Sequence, residues 1–275
     1  MSYTIKRPDN FDIEQIFDCG QCFRFGKHPE KSDTYCGVAF GKYLEITQSE
    51  NEIIFNCDES AFHDNWHSFL DLDNNYSLYI DSFKDDKVLY EASLFSSGNR
   101  LLKQDPWETL CSFIISQNNN IPRIKGIIEN MSKAFGESFE QEGNTYYSFP
   151  TAKALADAGE EKIFSLKTGF RAKYIYDAAI KVVSGEINLD AIFDMDLESA
   201  MQTLMKIKGV GPKVASCVLL FGFSKYDAFP IDVWVKKILA NYYSDGIPSH
   251  LSGKHAGIAQ QYLFYYERCK NNVYL

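Results

Sequence analysis

The feature that most constrains the fold of this chain is a glycine turn that leads into a long apolar segment. Gly209, Val210 and Gly211 precede Pro212, and residues 214–223 are almost all apolar. Glycine permits a tight turn and a close backbone approach, and proline favours the first position of a helix. We therefore predict a hairpin of two helices, the second of which begins at Pro212. Amides at that helix start could bind a phosphate; the alternative is a plain turn between packed helices.

Lys213 stands in the first turn of this apolar helix. Burial disfavours a charged ammonium group, and the positive end of a helix disfavours it further. A neutral amine is the form that attacks a carbon electrophile and makes a Schiff base. Lys213 is therefore a candidate nucleophile.

Asp232 lies directly before a predicted helix over residues 233–243. An aspartate at this position caps a helix by accepting hydrogen bonds from backbone amides. A capping carboxylate is held rigidly and stays ionised, which also suits the stabilisation of a developing sugar cation. Two roles are thus open for Asp232, a helix cap and an essential catalytic carboxylate.

The sequence pattern changes near residue 100. Residues 43–47 and 52–57 are short β-branched or aromatic runs separated by polar residues, which predicts antiparallel strands. Beyond residue 100 apolar residues repeat at helical spacing, and Asp105 followed by Pro106 marks a helix start. We predict an α+β fold, with an N-terminal antiparallel sheet domain over 1–98 and a mainly helical domain over 99–275. Helices are expected from segments that start near Ile121, Arg171, Leu197, Lys213, Asp232 and Lys254.

Composition narrows the class of protein. Hydrophobic residues make up 45% and charged residues 24% of 275 residues, as in ordinary globular domains. The chain contains no run of 18 apolar residues and starts with a polar segment, so we expect an intracellular protein without membrane association. We also expect a monomer. The seven cysteines match neither a disulfide framework nor a zinc pattern, and we expect reduced thiols, no metal and no cofactor.

Charge is distributed unevenly along the chain. The net charge of -9 argues against nonspecific affinity for a polyanion. Residues 203–240 nevertheless contain six lysines against two aspartates, and residues 167–181 contain four basic residues against one aspartate. Two basic segments on an acidic body can concentrate DNA on one face, and ordinary solvated helix faces are the alternative.

Taken together, the hairpin, Lys213 and the Pro-x-Asp-Val motif at 230–233 resemble the helix-hairpin-helix DNA glycosylases, and within them the bifunctional 8-oxoguanine DNA glycosylases. The resemblance runs over most of the chain. Its further motifs, in chain order, are RLLKQDP at 100–106, SQNNNIPR at 116–123, GFRAKY at 169–174 and AGIAQ at 256–260.

The resemblance implies a base-excision repair enzyme that flips 8-oxoguanine out of double-stranded DNA. Lys213 would attack the sugar C1′, cleave the N-glycosidic bond through a Schiff base and permit strand nicking by β-elimination, with Asp232 supporting it. The substrate would be duplex DNA with 8-oxoguanine preferably opposite cytosine. The resemblance also implies that the hairpin formed by Gly209, Val210 and Gly211 binds the DNA phosphate.

The resemblance also implies which residues bind the damaged base, with help from the C-terminal helix. The Gly20 carbonyl, in the signature CGQCFR at 19–24, would accept the hydrogen on N7 that 8-oxoguanine carries and guanine lacks. Gln260 would contact the Watson–Crick edge, while Cys217 and Phe264 would sandwich the ring. Taken singly, Cys217 and Phe264 are also typical core residues.

Four residues match positions that fill the emptied base stack and contact the orphaned cytosine. They are Asn118, Arg123, Phe170 and Arg171. Arginine can donate hydrogen bonds to the acceptors of cytosine, whereas adenine presents a different pattern. A solvated helix-start position is the alternative for both arginines.

Three positions depart from the family pattern. Trp234 stands where histidine is usual, which puts a phosphate contact in question; Ser216 replaces a common aspartate, and Phe170 lacks the hydroxyl of the usual tyrosine. We expect these changes to affect affinity or opposite-base stringency more than the chemistry.

Related branches of the family fit less well. The endonuclease III and adenine glycosylase branch carries four closely spaced cysteines for an iron–sulfur cluster, whereas only Cys269 follows Cys217 here. Alkylbase glycosylases lack the nucleophilic lysine. The alternative from another class of function is a noncatalytic helix-hairpin-helix DNA-binding protein.

Overall fold

The computed structural model describes residues 1–244, 246 and 248–270. Five strands form one sheet in the order β1-β5-β4-β3-β2, and two further strands form a separate hairpin. The strands are β1 (Tyr3–Lys6), β2 (Phe25–Lys27), β3 (Thr34–Ala39), β4 (Lys42–Gln48), β5 (Glu52–Phe55), β6 (Ser138–Gln141) and β7 (Asn144–Tyr147). The predicted strand pair is confirmed, because β4 runs antiparallel to β5 with Ile46 opposite Phe55.

One face of the sheet is covered by an aromatic cluster. Phe17 stacks on Phe25 with ring centroids 4.5 Å apart, and Phe69 lies 5.6 Å from Phe25. These rings, together with Tyr35, are almost completely buried. Large aromatic side chains contribute much of the buried apolar area in such a core, so the cluster anchors the sheet against its neighbouring helices.

Helices make up most of the remaining structure. They are α1 (Ile13–Asp18), α2 (Glu59–Ala61), α3 (His67–Phe69), α4 (Tyr76–Ser82), α5 (Lys87–Phe95), α6 (Pro106–Ser116), α7 (Ile121–Phe135), α8 (Ala152–Ala158), α9 (Glu160–Ile163), α10 (Ala172–Val183), α11 (Leu189–Ile192), α12 (Leu197–Leu204), α13 (Pro212–Phe223), α14 (Val233–Tyr242) and α15 (Ala256–Lys270). Short π or 3₁₀ turns lie at Phe62–Trp66, Phe164–Thr168, Gly169–Arg171 and Ser249–Ser252. None of the described helices is long and apolar enough to span a bilayer.

Local sequence explains where many of these helices start. The Asp105 side chain accepts a hydrogen bond from the Glu108 amide at 2.8 Å, and Pro106 occupies the first position of α6, as predicted. Aspartate, asparagine and threonine are preferred at such caps because they satisfy amides that lack a partner within the helix. Side chains of the same kind cap other helices at Asp12, Asp58, Asn75, Asp86, Asn120, Thr151, Asn188 and Asp196.

The predicted α+β class is confirmed, with two additions to the sequence interpretation. Helices α2 to α5 lie within residues 59–95, a region for which the sequence pattern predicts part of a sheet domain. They are short, so apolar residues do not repeat over a window long enough to show helical spacing. The β6–β7 hairpin interrupts the helical region, and half of its residues are exposed, which leaves little alternating apolar pattern to find.

By packing, the chain divides into two compact units. The first contains Met1–Gly37, Leu44–Lys103 and the described residues from Ser224 onward; the second contains Val38–Tyr43 and Gln104–Phe223. The boundary predicted at residue 98 marks a change in sequence pattern. The division by packing is a different one, because it places α14 and α15 with the N-terminal unit. Within that unit, the Ser96 hydroxyl donates to the Tyr262 carbonyl in α15 at 3.3 Å.

Candidate active site

The predicted helical hairpin is present in the second unit. Helix α12 ends at Leu204 and α13 begins at Pro212, with the glycine turn between them. Gly209 has a φ of +76°, and a Cβ atom there would lie 2.4 Å from the ring of Tyr174. Both the backbone conformation and the close approach therefore require glycine. The Val210 side chain is buried, and its amide donates to the Ile207 carbonyl at 3.1 Å.

We expect Gly209→Ala to lower the free energy of unfolding by about 1–3 kcal/mol, because the new methyl group meets an aromatic ring in a strained backbone conformation. Urea denaturation of both proteins measures this change. Gly211→Ala is the matched control, since a Cβ there meets no heavy atom within 4 Å. Equal losses in the two variants would contradict the assignment of Gly209 as the constrained position.

Lys213 is the second residue of α13 and is partly buried. Its Nζ lies 5.4 Å from the centroid of the Phe113 ring, which itself stacks on Phe221 at 5.4 Å. Behind the lysine, α13 is a buried apolar helix that includes Val214. The amine therefore lies at the start of a buried helix, beside an aromatic ring and next to the hairpin. The role of Lys213 as the nucleophile stays a prediction.

The same helix carries two other residues singled out in the sequence. Cys217 is 4% exposed and therefore belongs to the buried face of α13. Ser216, at the position where the family usually has aspartate, places its hydroxyl 3.6 Å from the Met201 sulfur on α12. The hydroxyl thus contributes to helix packing within the second unit.

Asp232 belongs to the first unit and caps α14, as predicted. Its Oδ1 accepts hydrogen bonds from the Trp234 amide at 2.9 Å and the Val235 amide at 2.8 Å. Backbone amides that donate to a carboxylate fix its orientation. Since both bonds use the same oxygen, the cap itself does not require Oδ2. The geometry therefore permits the second role, which stays a prediction.

Trp234 lies directly beyond this cap. Its indole ring is partly buried, and the Lys237 ammonium lies 4.5 Å from the ring centroid. A large amphipathic ring beside a cation differs from histidine in size and charge, so the departure noted in the sequence alters the surface at the start of α14.

Three of the predicted base-binding residues lie in the first unit. Gly20 follows α1 with a φ of +80°, while Gln260 and Phe264 are one turn apart on α15. Gln260 is 4% exposed, and its Oε1 is buried without a hydrogen bond from any residue in the described part of the chain. Leaving a buried acceptor unsatisfied costs about 1–3 kcal/mol, so this atom can accept a hydrogen bond from a ligand. The fourth predicted residue, Cys217, belongs to the second unit.

Arg268 is a residue of this region that the sequence interpretation missed. It is 5% exposed, and its guanidinium lies 5.1 Å from the ring of Phe264. Burial lowers the pKa of this guanidinium, and nearby groups that include Asp232 act in the opposite direction. The spacing of four residues between Phe264 and Arg268 is the signal that could have identified the pair, because such residues are neighbours on a helix.

The predicted opposite-base residues cluster in the second unit around one arginine. Arg171 is 2% exposed and stacks on Phe170, whose ring centroid lies 4.4 Å from the guanidinium carbon. Arg171 donates to the carbonyls of Gln117 and Asn118, the latter at 2.8 Å. Burial lowers the pKa of Arg171, and the nearby charge of Arg123 lowers it further. All four predicted residues therefore lie in one cluster around Arg171.

The details of this cluster refine the individual assignments. Asn118 is exposed with a φ of +46°, an uncommon conformation that the hydrogen bond to its carbonyl helps to hold. Phe170 is 49% exposed and Arg123 is exposed in the first turn of α7, so both can reach a ligand. Arg171, by contrast, donates its hydrogen bonds to backbone carbonyls in this structure. Its part in organising the loop is therefore observed, and its part in contacting cytosine stays a prediction.

Comparisons with known proteins agree in pointing to one family. A model of the 8-oxoguanine DNA glycosylase N-terminal domain matches residues 4–110, and a model of HhH-GPD superfamily base excision DNA repair proteins matches residues 111–250. The solved structure of MBOgg1 with a low-affinity DNA ligand is 41% identical, has a TM-score of 0.92, and covers 98% of this chain and 96% of its own.

Other relatives carry similar descriptions. The apo-form structure of the Clostridium acetobutylicum 8-oxoguanine glycosylase/lyase is 38% identical with a TM-score of 0.91, covering 96% of each chain. The N-glycosylase/DNA lyase of Saccharomyces cerevisiae is 40% identical over 164 residues, which is 55% of this chain and 44% of the yeast protein. Matches to the curated relatives span about half of their length.

Proposed function

This chain belongs to the HhH-GPD superfamily of base excision DNA repair proteins, and from that premise we propose that it removes 8-oxoguanine from duplex DNA as an N-glycosylase with DNA lyase activity. The observation that carries the proposal is similarity over nearly the whole chain to proteins described as 8-oxoguanine glycosylase/lyases. A Clostridium acetobutylicum structure at 37% identity contains double-stranded DNA with cytosine opposite 8-oxoguanine. These names favour an enzyme over the noncatalytic alternative.

Lys213 supplies the nucleophile in this proposal. Its neutral amine attacks C1′ of the damaged nucleotide, and the base leaves with the electron pair of the N-glycosidic bond. Opening of the sugar ring then gives a Schiff base between Nζ and C1′. Loss of a proton from C2′ and departure of the 3′ phosphate nick the strand by β-elimination. Positive charge develops on the sugar in the first step, and the carboxylate of Asp232 stabilises it.

Recognition of the damaged base is assigned to Gly20, Gln260, Cys217 and Phe264. The buried Oε1 of Gln260 supports this assignment, because an acceptor without a partner can be satisfied by a donor on the Watson–Crick edge. Guanine and 8-oxoguanine share that edge, so Gln260 binds both equally. Discrimination then depends on N7, where 8-oxoguanine donates a hydrogen bond to the Gly20 carbonyl and guanine presents a repulsive acceptor.

The proposal also covers the base opposite the lesion. We propose that Arg123, Arg171 and Asn118 contact an orphaned cytosine while Phe170 fills the stack. The hydrogen bonds that Arg171 makes to carbonyls in this structure would have to be exchanged for bonds to the cytosine acceptors. We further propose that the protein acts as a monomer in the intracellular compartment that contains DNA.

A panel of duplexes tests the function and the role of Gln260 together. Single-turnover excision is measured on duplexes with 8-oxoguanine or guanine, each opposite any of the four bases. We expect wild-type protein to excise 8-oxoguanine fastest opposite cytosine, and Gln260→Ala to slow that reaction about tenfold or more without permitting guanine removal. Absence of 8-oxoguanine excision by the wild type contradicts the proposed function, whereas guanine removal by Gln260→Ala contradicts only the division of roles.

A further inference from the structure

The direction of the Gly20 carbonyl is set by few local constraints. Gly20 has a φ of +80°, a conformation that glycine adopts readily and that other residues rarely adopt. The same lack of a Cβ atom means that glycine is not confined to this conformation by its own side chain. A carbonyl at such a position holds one direction only if the residues on either side of it are fixed by other parts of the structure.

On the C-terminal side, Gln21 is fixed by three hydrogen bonds. Its side-chain nitrogen donates to the carbonyls of Ile16 at 2.9 Å and Arg100 at 2.7 Å, and its Oε1 accepts from the Leu102 amide at 2.9 Å. Gln21 is completely buried. The amide side chain therefore uses both its donor and its acceptor functions to lock the backbone directly after Gly20.

On the N-terminal side, the peptide between Cys19 and Gly20 is held from α15. Gln261 donates from its Nε2 to the Cys19 carbonyl at 3.1 Å, and Gln261 is 3% exposed. The Cys19 thiol donates to the Ile16 carbonyl at 3.1 Å and is also fully buried. Gly20 itself is partly exposed and lies between two buried and anchored neighbours.

From this arrangement we infer that Gln261 is a positioning residue that sets the direction of the Gly20 carbonyl and thereby the selectivity for the lesion over guanine. The inference rests on the proposed function, in which that carbonyl accepts the hydrogen on N7. The bond joins α15 to the loop after α1, so the helix that carries Gln260 and Phe264 also fixes the backbone that contacts N7. One helix thus coordinates both contacts with the base, and a shift of α15 changes them together.

The test measures the contribution of N7-H separately from the rest of binding. Affinity is compared for a duplex with 8-oxoguanine and a duplex with its 7-deaza analogue, which keeps the 8-oxo group but replaces N7-H with C-H. The measurements use the Lys213→Gln background so that no turnover occurs. We expect the background protein to prefer 8-oxoguanine about tenfold to a hundredfold, the contribution of one buried hydrogen bond. Adding Gln261→Met, which keeps the side-chain length but removes the donor, should reduce that preference to about threefold or less.

Two controls separate positioning from folding. Tyr266→Phe removes a hydrogen bond from the same helix to Glu91, at 2.7 Å, without touching Cys19, and should keep the full preference for 8-oxoguanine. Cleavage at a preformed abasic site needs Lys213 but no damaged base, so Gln261→Met in the otherwise wild-type protein should retain it. A variant that lost abasic cleavage as well would indicate a general structural role and overturn the inference.

A second variant tests the hydrogen bond itself. In Gln261→Glu the side chain can donate to the Cys19 carbonyl only when its carboxyl group is protonated, and burial favours that neutral form. The preference for 8-oxoguanine over the 7-deaza analogue should therefore rise as the pH falls from 7.5 to 5.5, relative to the Gln261 protein. An unchanged preference in both Gln261 variants overturns this inference alone. Equal binding of lesion and guanine duplexes by the background protein overturns the proposed function as well.

Discussion

We expect Lys213→Gln to abolish base excision while leaving lesion-containing DNA bound. The variant keeps the length of the side chain but removes the amine, so no Schiff base can form at C1′ and the rate should fall by at least about a thousandfold. Single-turnover excision and a binding titration on the same 8-oxoguanine duplex measure the two effects. Lys213 is partly exposed in the first turn of α13, so loss of the ammonium should disturb the helix little.

The matched control for this prediction is Lys133→Gln, which removes the same charge from the exposed side of α7. Lys133 pairs with Glu129 at 3.1 Å, a surface ion pair of the kind that contributes little to stability. Excision by this control should match the wild type. Excision by Lys213→Gln at more than a tenth of the wild-type rate would show that another group performs the attack.

Asp232→Asn separates the helix cap from the negative charge. Asparagine caps helices about as well as aspartate, so the free energy of unfolding should change by less than about 0.5 kcal/mol. The amide cannot stabilise positive charge on the sugar, so excision should slow about a hundredfold to a thousandfold. Thermal denaturation and single-turnover rates on the same preparations measure both quantities.

Asp105→Asn provides the comparison, because Asp105 caps α6 with the same type of hydrogen bond, which its Oδ1 accepts from the Glu108 amide. Its stability should change as little as that of Asp232→Asn, while its excision rate stays close to that of the wild type. If stability and rate fell together in Asp232→Asn, a purely structural role for this carboxylate would explain the result.

Features that depend on a few adjacent residues were predictable from the sequence. The hairpin at Gly209 to Gly211, the start of α13 at Pro212 and the caps at Asp105 and Asp232 each follow from local backbone chemistry. The residues match the conformations they adopt, since a left-handed φ requires glycine at 209 and a carboxylate satisfies the free amides at a helix start.

Features that depend on distant residues were not predictable in this way. Gln261 and Cys19 are 242 positions apart in the sequence, and Arg171 is 54 positions from Gln117, whose carbonyl it binds. Nothing in the local pattern distinguishes a buried glutamine that binds a loop carbonyl from one on a solvated helix face. Arg171 was predicted as a reader of the opposite base, yet its observed hydrogen bonds organise the loop that presents Asn118.

Trapping of the covalent intermediate tests the central claim most directly. Wild-type protein is incubated with an 8-oxoguanine:cytosine duplex in the presence of borohydride, which reduces a Schiff base to a stable amine, and the adduct is digested and mapped by mass spectrometry. We expect one protein–DNA adduct, on the peptide that contains Lys213. A lack of any adduct during active excision, or an adduct on a different amine, would contradict the assignment of Lys213 as the nucleophile.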